Sequence, residues 1–391
     1  MFKKLFSGAK KSPEIALIFD IGSDSVAGSI VHFSSNSREN PRIIYTKRSH
    51  WHSGSHSSYD DLLRSMKYTL GNVARSIQEK GFPLSEKGSI YVTVSSPWFA
   101  HDMRRAELSR NTVFTVNEKI LDSIRDKEMT EFDKESEDIY GEDFQVIEKT
   151  IVDISVNGYH TASPIGQKAK HVDVSIYISV APKEVISIIE DTIGRVFHHK
   201  VQFQTSTLLT YVVSRDYFAK DKDYIFIDVG GELTDILVVR NNTIFQTLSF
   251  PLGTQFFYSN IAKILHASNH ETLSLLSAFD KDALDKETTN AIQDAKKTSY
   301  LAYEKHLETS LRQLSKEYKL PQEVYISGFG FFEKDLKKLL ESEHVGQYSM
   351  LEIPFDVSIV NETELHTMLR YQPGTKRDLF IALSALYRNH I

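Results

Sequence analysis

The 391-residue chain contains no cysteine. That absence excludes disulfides, thiol nucleophiles and Cys-ligated metal. No apolar run approaches the roughly 18 residues that a membrane span needs. An excess of positive charge is missing as well: 46 basic and 52 acidic side chains leave a formal net charge of −6. Nothing global therefore draws a nucleic acid, and no such partner is expected. The opening peptide "MFKKLFSGAKKSPE" has no apolar core segment, so no signal peptide is expected and the expected location is the cytoplasm. What is present is the ordinary mix of a soluble globular protein, 41% hydrophobic and 25% charged, with room for two or three domains.

Two stretches share one layout. "IALIFDIGSDSVAGSIVHF" (15–33) and "YIFIDVGGELTDILVV" (224–239) each run as an apolar strand, break at Asp-x-Gly, pass small polar residues and resume as a strand. A simple hairpin needs only a pair of turn residues such as Asn-Gly; here acids and hydroxyls crowd the tip. Glycines in a turn let backbone N–H groups converge, because positive φ costs Gly little, and such a nest suits phosphate oxygens. Gly22, Gly230 and Gly231 are the candidates. Asp20 and Asp228 end their strands, where carboxylates could hold Mg²⁺ through its waters. Ser23, Ser25 and Thr234 offer hydroxyls to phosphate. A strand, not a helix, follows each turn, so neither the Rossmann motif nor the P-loop applies. One such hairpin in each half implies a duplicated α/β fold clamping a ligand between halves.

Between the hairpins, "PRIIYTKR" reads as a third strand, and Leu62, Leu63, Met66, Leu70, Val73 and Ile77 share a face of an amphipathic helix. "SIYVTVSS" is a further strand. From about Pro97 a charged helix giving way to a solvated loop, two alternating strands and the helix "PKEVISIIEDTIGRVF" form a small α+β block. His50, His52 and His56 alternate as strand ligands do, but no acid precedes Asp60 nearby, so a solvated loop is expected. The acidic run 126–143 reads as a solvated face, and Phe256, Phe257, Tyr258, Phe331 and Phe332 as core. In the closing "RDLFIALSALYRNHI", Leu379, Phe380, Leu383 and Leu386 are expected to be buried. At the start, Phe2, Leu5 and Phe6 beside Lys3, Lys4, Lys10 and Lys11 suit an anionic membrane surface, at about 1 kcal/mol per cation; a disordered tail is the competing reading.

With both hairpins and the "ISGFG" turn (326–330) in place, the sequence resembles the actin-like ATPase superfamily, and within it the bacterial FtsA/PilM-type members. The likeness covers about residues 13–391 in motif order. "FDIGSDSVAGSIV" and "IDVGGELTDILVV" look like its two phosphate loops, "FQTSTLL" like its connecting segment and "ISGFGFF" like its adenosine loop. The resemblance implies ATP with Mg²⁺ at Asp20 and Asp228, Gly328 and Gly330 beside the adenosine, and Gln204 near the attacking water. It also implies a domain plan. A basic tail (1–12) precedes a first actin-like half (13–85), interrupted by an inserted FtsA-like subdomain (86–192) and resumed by a connecting segment (193–222). The second half (223–370) and a final helix packing on the first half (371–391) complete it.

The function implied is an FtsA-like cytoplasmic scaffold that links a cytoskeletal or assembly machine to the inner face of the cell membrane in division. Its partners would be an FtsZ-like protein, further copies of itself and the membrane surface. The alternative is a PilM-like part of type IV pilus assembly that binds an inner-membrane protein. A sugar kinase or other active ATPase of the fold is a second alternative, without a convincing catalytic Asp. Three departures from the pattern bear on catalysis. Glu232 stands where the second loop has a small residue, Phe329 replaces the middle Gly of the adenosine loop, and Ser25 and Ala27 stand where relatives often have Lys. One uncompensated like charge at 4 Å costs up to ~4 kcal/mol at an effective dielectric of about 20, roughly three orders of magnitude in affinity. At most a weak ATPase is expected, and a vacant cleft remains open as a reading.

Overall fold

The computed structural model describes residues 14–36, 39–51, 58–82, 84, 88–220, 222–328, 330–361 and 364–390. The basic tail (1–12), His52, His56 and Phe329 lie outside the described residues.

The chain begins with β1 (Glu14–Ile21), β2 (Ser25–Phe33), β3 (Arg42–His50), α1 (Tyr59–Gln78) and β4 (Ile90–Val94). From Ala16 to Ile21 every residue of β1 is buried, the mark of a strand covered on both faces. Helix α1 starts at Ser58, whose hydroxyl accepts the Asp61 N–H at 3.2 Å, with Asp60 and Asp61 in the electropositive first turn. Its expected apolar stripe is buried against the first sheet.

Next come β5 (Ala100–Thr115), α2 (Glu118–Tyr140), β6 (Phe144–Val156), β7 (Tyr159–His160), β8 (Lys168–Pro182) and α3 (Lys183–Phe197). These strands form their own antiparallel sheet, ordered β5-β8-β6-β7. Helix α2 packs on it through Leu121, Ile124, Met129 and Phe132. Here the structure corrects the expected helix-then-loop: α2 runs unbroken to Tyr140. Its Glu, Lys and Met residues are good helix formers, Arg125 pairs with Asp122 one turn back at 3.0 Å, and Phe132 and Tyr140 stay in ring contact.

The path continues through β9 (Val201–Thr205), α4 (Ser206–Val213), β10 (Tyr224–Val229), β11 (Thr234–Arg240), β12 (Thr243–Phe250), α5 (Thr254–Leu265), α6 (Asn269–Phe279) and α7 (Lys286–Leu314). It closes with β13 (Glu323–Ser327), α8 (Glu333–Leu340), α9 (Glu343–Gly346), β14 (Asp356–Ile359), β15 (Arg370–Tyr371) and α10 (Leu379–His390). The first sheet is ordered β15-β3-β2-β1-β4-β9 and the second β12-β11-β10-β13-β14. In both, an antiparallel hairpin (β1–β2, β10–β11) continues on one side into a parallel neighbour (β4, β13). The motif repeat in the sequence is thus a repeat of the fold.

Helices α4 and α10 share one core with both sheets: Ala16 and Ile18, Leu208 and Leu209, Phe226 and Leu237, Ile381, Leu383 and Leu386. Leu383 and Leu386 are each 1% exposed, while Leu379 and Phe380 are only partly buried. Phe257 and Phe332 are fully buried, and Phe256 and Tyr258 pack beside them. None of the described helices is long and apolar enough to cross a membrane.

Candidate functional site

Register places the polar residues in two matching rows. In the first sheet Asp20 stands opposite Ala27 on β2 and Thr93 on β4; Ala27 faces Arg48 on β3, and Thr93 faces Gln204 on β9. In the second, Asp228 stands opposite Asp235 on β11 and Ser327 on β13, and Asp235 faces Ser249 on β12. The rows meet at a cavity of ≈270 Å³ between the hairpins, lined by Asp20, Gly22, Ser23, Ser25, Asp228, Gly230, Gly231 and Gly328, among others.

The residue that the sequence reading missed is Arg48. Its guanidinium donates to Asp20 at 2.7 Å, to both carboxylate oxygens of Asp378 at 2.7 and 2.9 Å, and to Ser25 at 2.9 Å. Asp378 precedes α10, so one cation ties the end of the chain to the first hairpin. Burial raises the Asp20 carboxyl above its ordinary range, and Arg48 only partly opposes this. Burial also works against ionised Asp378, but there the bidentate Arg48 contact and the Ile381 N–H prevail and hold it low. Asp20, expected to reach Mg²⁺, therefore spends its charge on Arg48.

The second row has no such cation. Asp228 is pushed up to about 7, chiefly by burial and then by Asp235 and Asp20, although Ser327 donates to it at 2.7 Å. Burial likewise raises Asp235, which accepts from Ser96 at 3.0 Å and from Ser249. Glu232 is raised by burial and by Asp24. Burial opposes ionised Asp24 as well, yet His50, Ser25 and Gln255 keep it low.

The two hairpins touch each other. The Glu232 N–H donates to Ser23 Oγ at 3.0 Å, and Gln255 donates to Asp24 at 3.3 Å. A Cβ on Gly231 would lie 2.3 Å from the Asp24 Cβ, which is why that position is glycine. The Gly22 and Gly230 N–H groups donate within their own turns, to Ser25 and Leu233 carbonyls at 2.9 Å each. The first amides of α5, Thr254 and Gln255, donate to the Gly230 and Gly231 carbonyls at 2.9 Å each. Two of the three N–H groups expected to cradle phosphate, those of Gly22 and Gly230, are thus engaged by protein.

Three further residues singled out in the sequence lie off the cavity wall. Thr234 is fully buried and turns its hydroxyl to the Leu252 carbonyl at 2.7 Å and to Tyr303, away from the cavity. Gln204 is 4% exposed and donates to Thr93 at 2.7 Å, which in turn meets Ser384 of α10 at 2.9 Å; it does not line the cavity. Gly330 also lies off the cavity wall, whereas Gly328, at φ +84°, lies against the Val229 carbonyl. In this arrangement a Mg²⁺-bound triphosphate meets two obstacles. It would have to part Ser23 from Glu232 and enter beside Asp20, Asp24, Asp228 and Asp235, four acidic groups that line the cavity together with Arg48 and His50.

No family model matches the chain, and no curated protein matches its sequence. Solved structures do match. The chain is similar to the PilM–PilN type IV pilus biogenesis complex at 14% identity and a TM-score of 0.60, over 96% of this chain and 98% of that one. A Bacteroides thetaiotaomicron protein with an actin-like ATPase fold and unknown function matches at 12% identity and a TM-score of 0.42, over 96% of each chain. The ethanolamine utilization protein EutJ from Carboxydothermus hydrogenoformans matches at 12% identity and a TM-score of 0.43, over 97% of this chain and 92% of that one. The chain has the actin-like ATPase fold.

Proposed function

We propose that this chain is an adaptor built on the actin-like fold, one that acts by holding protein partners and for which nucleotide is at most regulatory. The observation that carries the reading is the contact between the hairpins: Ser23 takes the Glu232 N–H, and the Gly22 and Gly230 N–H groups are already used within their turns. Phosphoryl transfer depends on free donors and cations aimed at the phosphates; here the donors are engaged and acids prevail. The adaptor reading includes the inserted sheet as a separate lobe, self-assembly and a peripheral membrane contact through the basic residues 1–12.

Two roles are compatible with it. An FtsA-like role would connect an FtsZ-like filament to the membrane in division. A PilM-like role would engage an inner-membrane protein of a pilus machine, a role with which the near full-length likeness in fold to the PilM–PilN complex is consistent. Calorimetry of the full chain against an FtsZ C-terminal peptide and against the N-terminal peptide of a PilN-type protein separates them, with ATP turnover measured alongside. Binding of either peptide with turnover far below the ~1 s⁻¹ floor of typical enzymes supports an adaptor. Turnover above that floor, with or without sugars, replaces the reading with an enzyme.

A further inference from the structure

Glu304 and Glu308 sit one turn apart on α7, with His344 of α9 between them: His344 Nε2 lies 2.9 Å from Glu304 Oε1 and 3.0 Å from Glu308 Oε1. The backbone fixes the imidazole there, because its neighbour Val345 is fully buried and Gly346 packs against the Ile353 carbonyl group. A group outside the trio orients the ring: Ser342 Oγ lies 3.0 Å from His344 Nδ1 and also reaches the Leu339 carbonyl at 2.5 Å. Nε2 is thereby aimed at two carboxylate oxygens on the next helix, which call for a positive centre between them. Among the described residues no Lys or Arg forms an ion pair with either glutamate.

We propose that this trio is a divalent transition-metal site of the Zn²⁺ class. One imidazole nitrogen and two carboxylate oxygens, all within 4.8 Å of one another, form a three-ligand set that suits Zn²⁺ and leaves a fourth position for water. Metal–ligand bonds of about 2.0–2.2 Å in a tetrahedron require the ligand atoms to open by only a few tenths of an ångström. Ser342 is the outer group that orients the ligand. The ion clamps α9 to α7 and so holds the following loop, which exposes Met350, Leu351 and Ile353.

Titration of the full chain with ZnCl₂ tests this, with MgCl₂ and CaCl₂ as oxygen-preferring controls. One Zn²⁺ bound at micromolar affinity is expected, with loss of roughly 100-fold or more in His344→Ala and about 10-fold in Ser342→Ala. Glu308→Gln, which preserves size, guards against a folding artefact and should lose Zn²⁺ as His344→Ala does. His171→Ala distinguishes the other His-carboxylate group, Glu107, His171 and Asp173, and should leave this affinity unchanged. Absence of binding below millimolar Zn²⁺ overturns the proposal in favour of a protonated imidazole pinning the two helices. Binding retained in His344→Ala overturns it equally.

Discussion

Asp228→Asn should stabilise the protein, increasingly so as the pH rises from 4 towards 7. Asp228 faces Asp235 directly across β10 and β11, where like charges oppose each other, and burial lifts its carboxyl from 3.8 to about 7. The folded state thus keeps a proton that the unfolded chain has already lost. Stability from this group is fully present below pH 4 and declines as the pH rises towards 7. At about 1.36 kcal/mol for each tenfold change the loss is at most ~4 kcal/mol; water in the adjoining cavity reduces it, so ~2–3 kcal/mol is expected. Asparagine accepts the Ser327 hydroxyl as the carboxyl does and carries no charge to desolvate. Urea melts of both proteins at pH 5 and pH 8 read the effect. The variant should be more resistant at pH 8, with a clearly smaller gain at pH 5. A variant weaker than the parent at pH 8, or a gain equal at both pH values, refutes the reasoning.

Glu148→Gln should behave in the same sense. Burial lifts Glu148 to about 7 at the root of the inserted sheet, where it accepts from the Thr205 N–H at 2.9 Å and hydroxyl at 2.6 Å; a thermal-shift gain at pH 8 that fades by pH 5 is the expected result. Gly231→Ala forces the hairpins apart, since its Cβ would lie 2.3 Å from the Asp24 Cβ, and should cost about 1–3 kcal/mol in a denaturant melt. Leu383→Ala empties a fully buried place where α10 meets β1 and α4, and should cost about 2–5 kcal/mol by the same measurement. Glu232→Gly removes the charge beside Asp24 and should tighten Mg-ATP binding in calorimetry; weaker binding would mean that Glu232 is not what keeps the anion out.

Local chemistry alone determined much of this protein. The two Asp-x-Gly hairpins announce themselves because an apolar strand on each side of a polar turn is a short-range pattern, and their repetition implies two halves. The apolar stripe of α1, the alternating β6 and β8 and the burial of Leu383 and Leu386 follow from periods that need no knowledge of distant neighbours. So does the presence of Asp20, Gly22, Ser23, Ser25, Asp228, Gly230 and Gly231 around one cavity, since each lies at a strand end or turn tip. Only the tertiary structure decided what those residues do there. Arg48 and Asp378 lie 330 positions apart; strand register and the return of α10 bring them together, and no local pattern marks either. Register likewise turns Gln204 and Thr234 into the protein, and the approach of the two halves closes Ser23 onto Glu232. Side-chain type is written residue by residue, but the sign of a cleft's charge and the room left in it depend on which distant groups arrive.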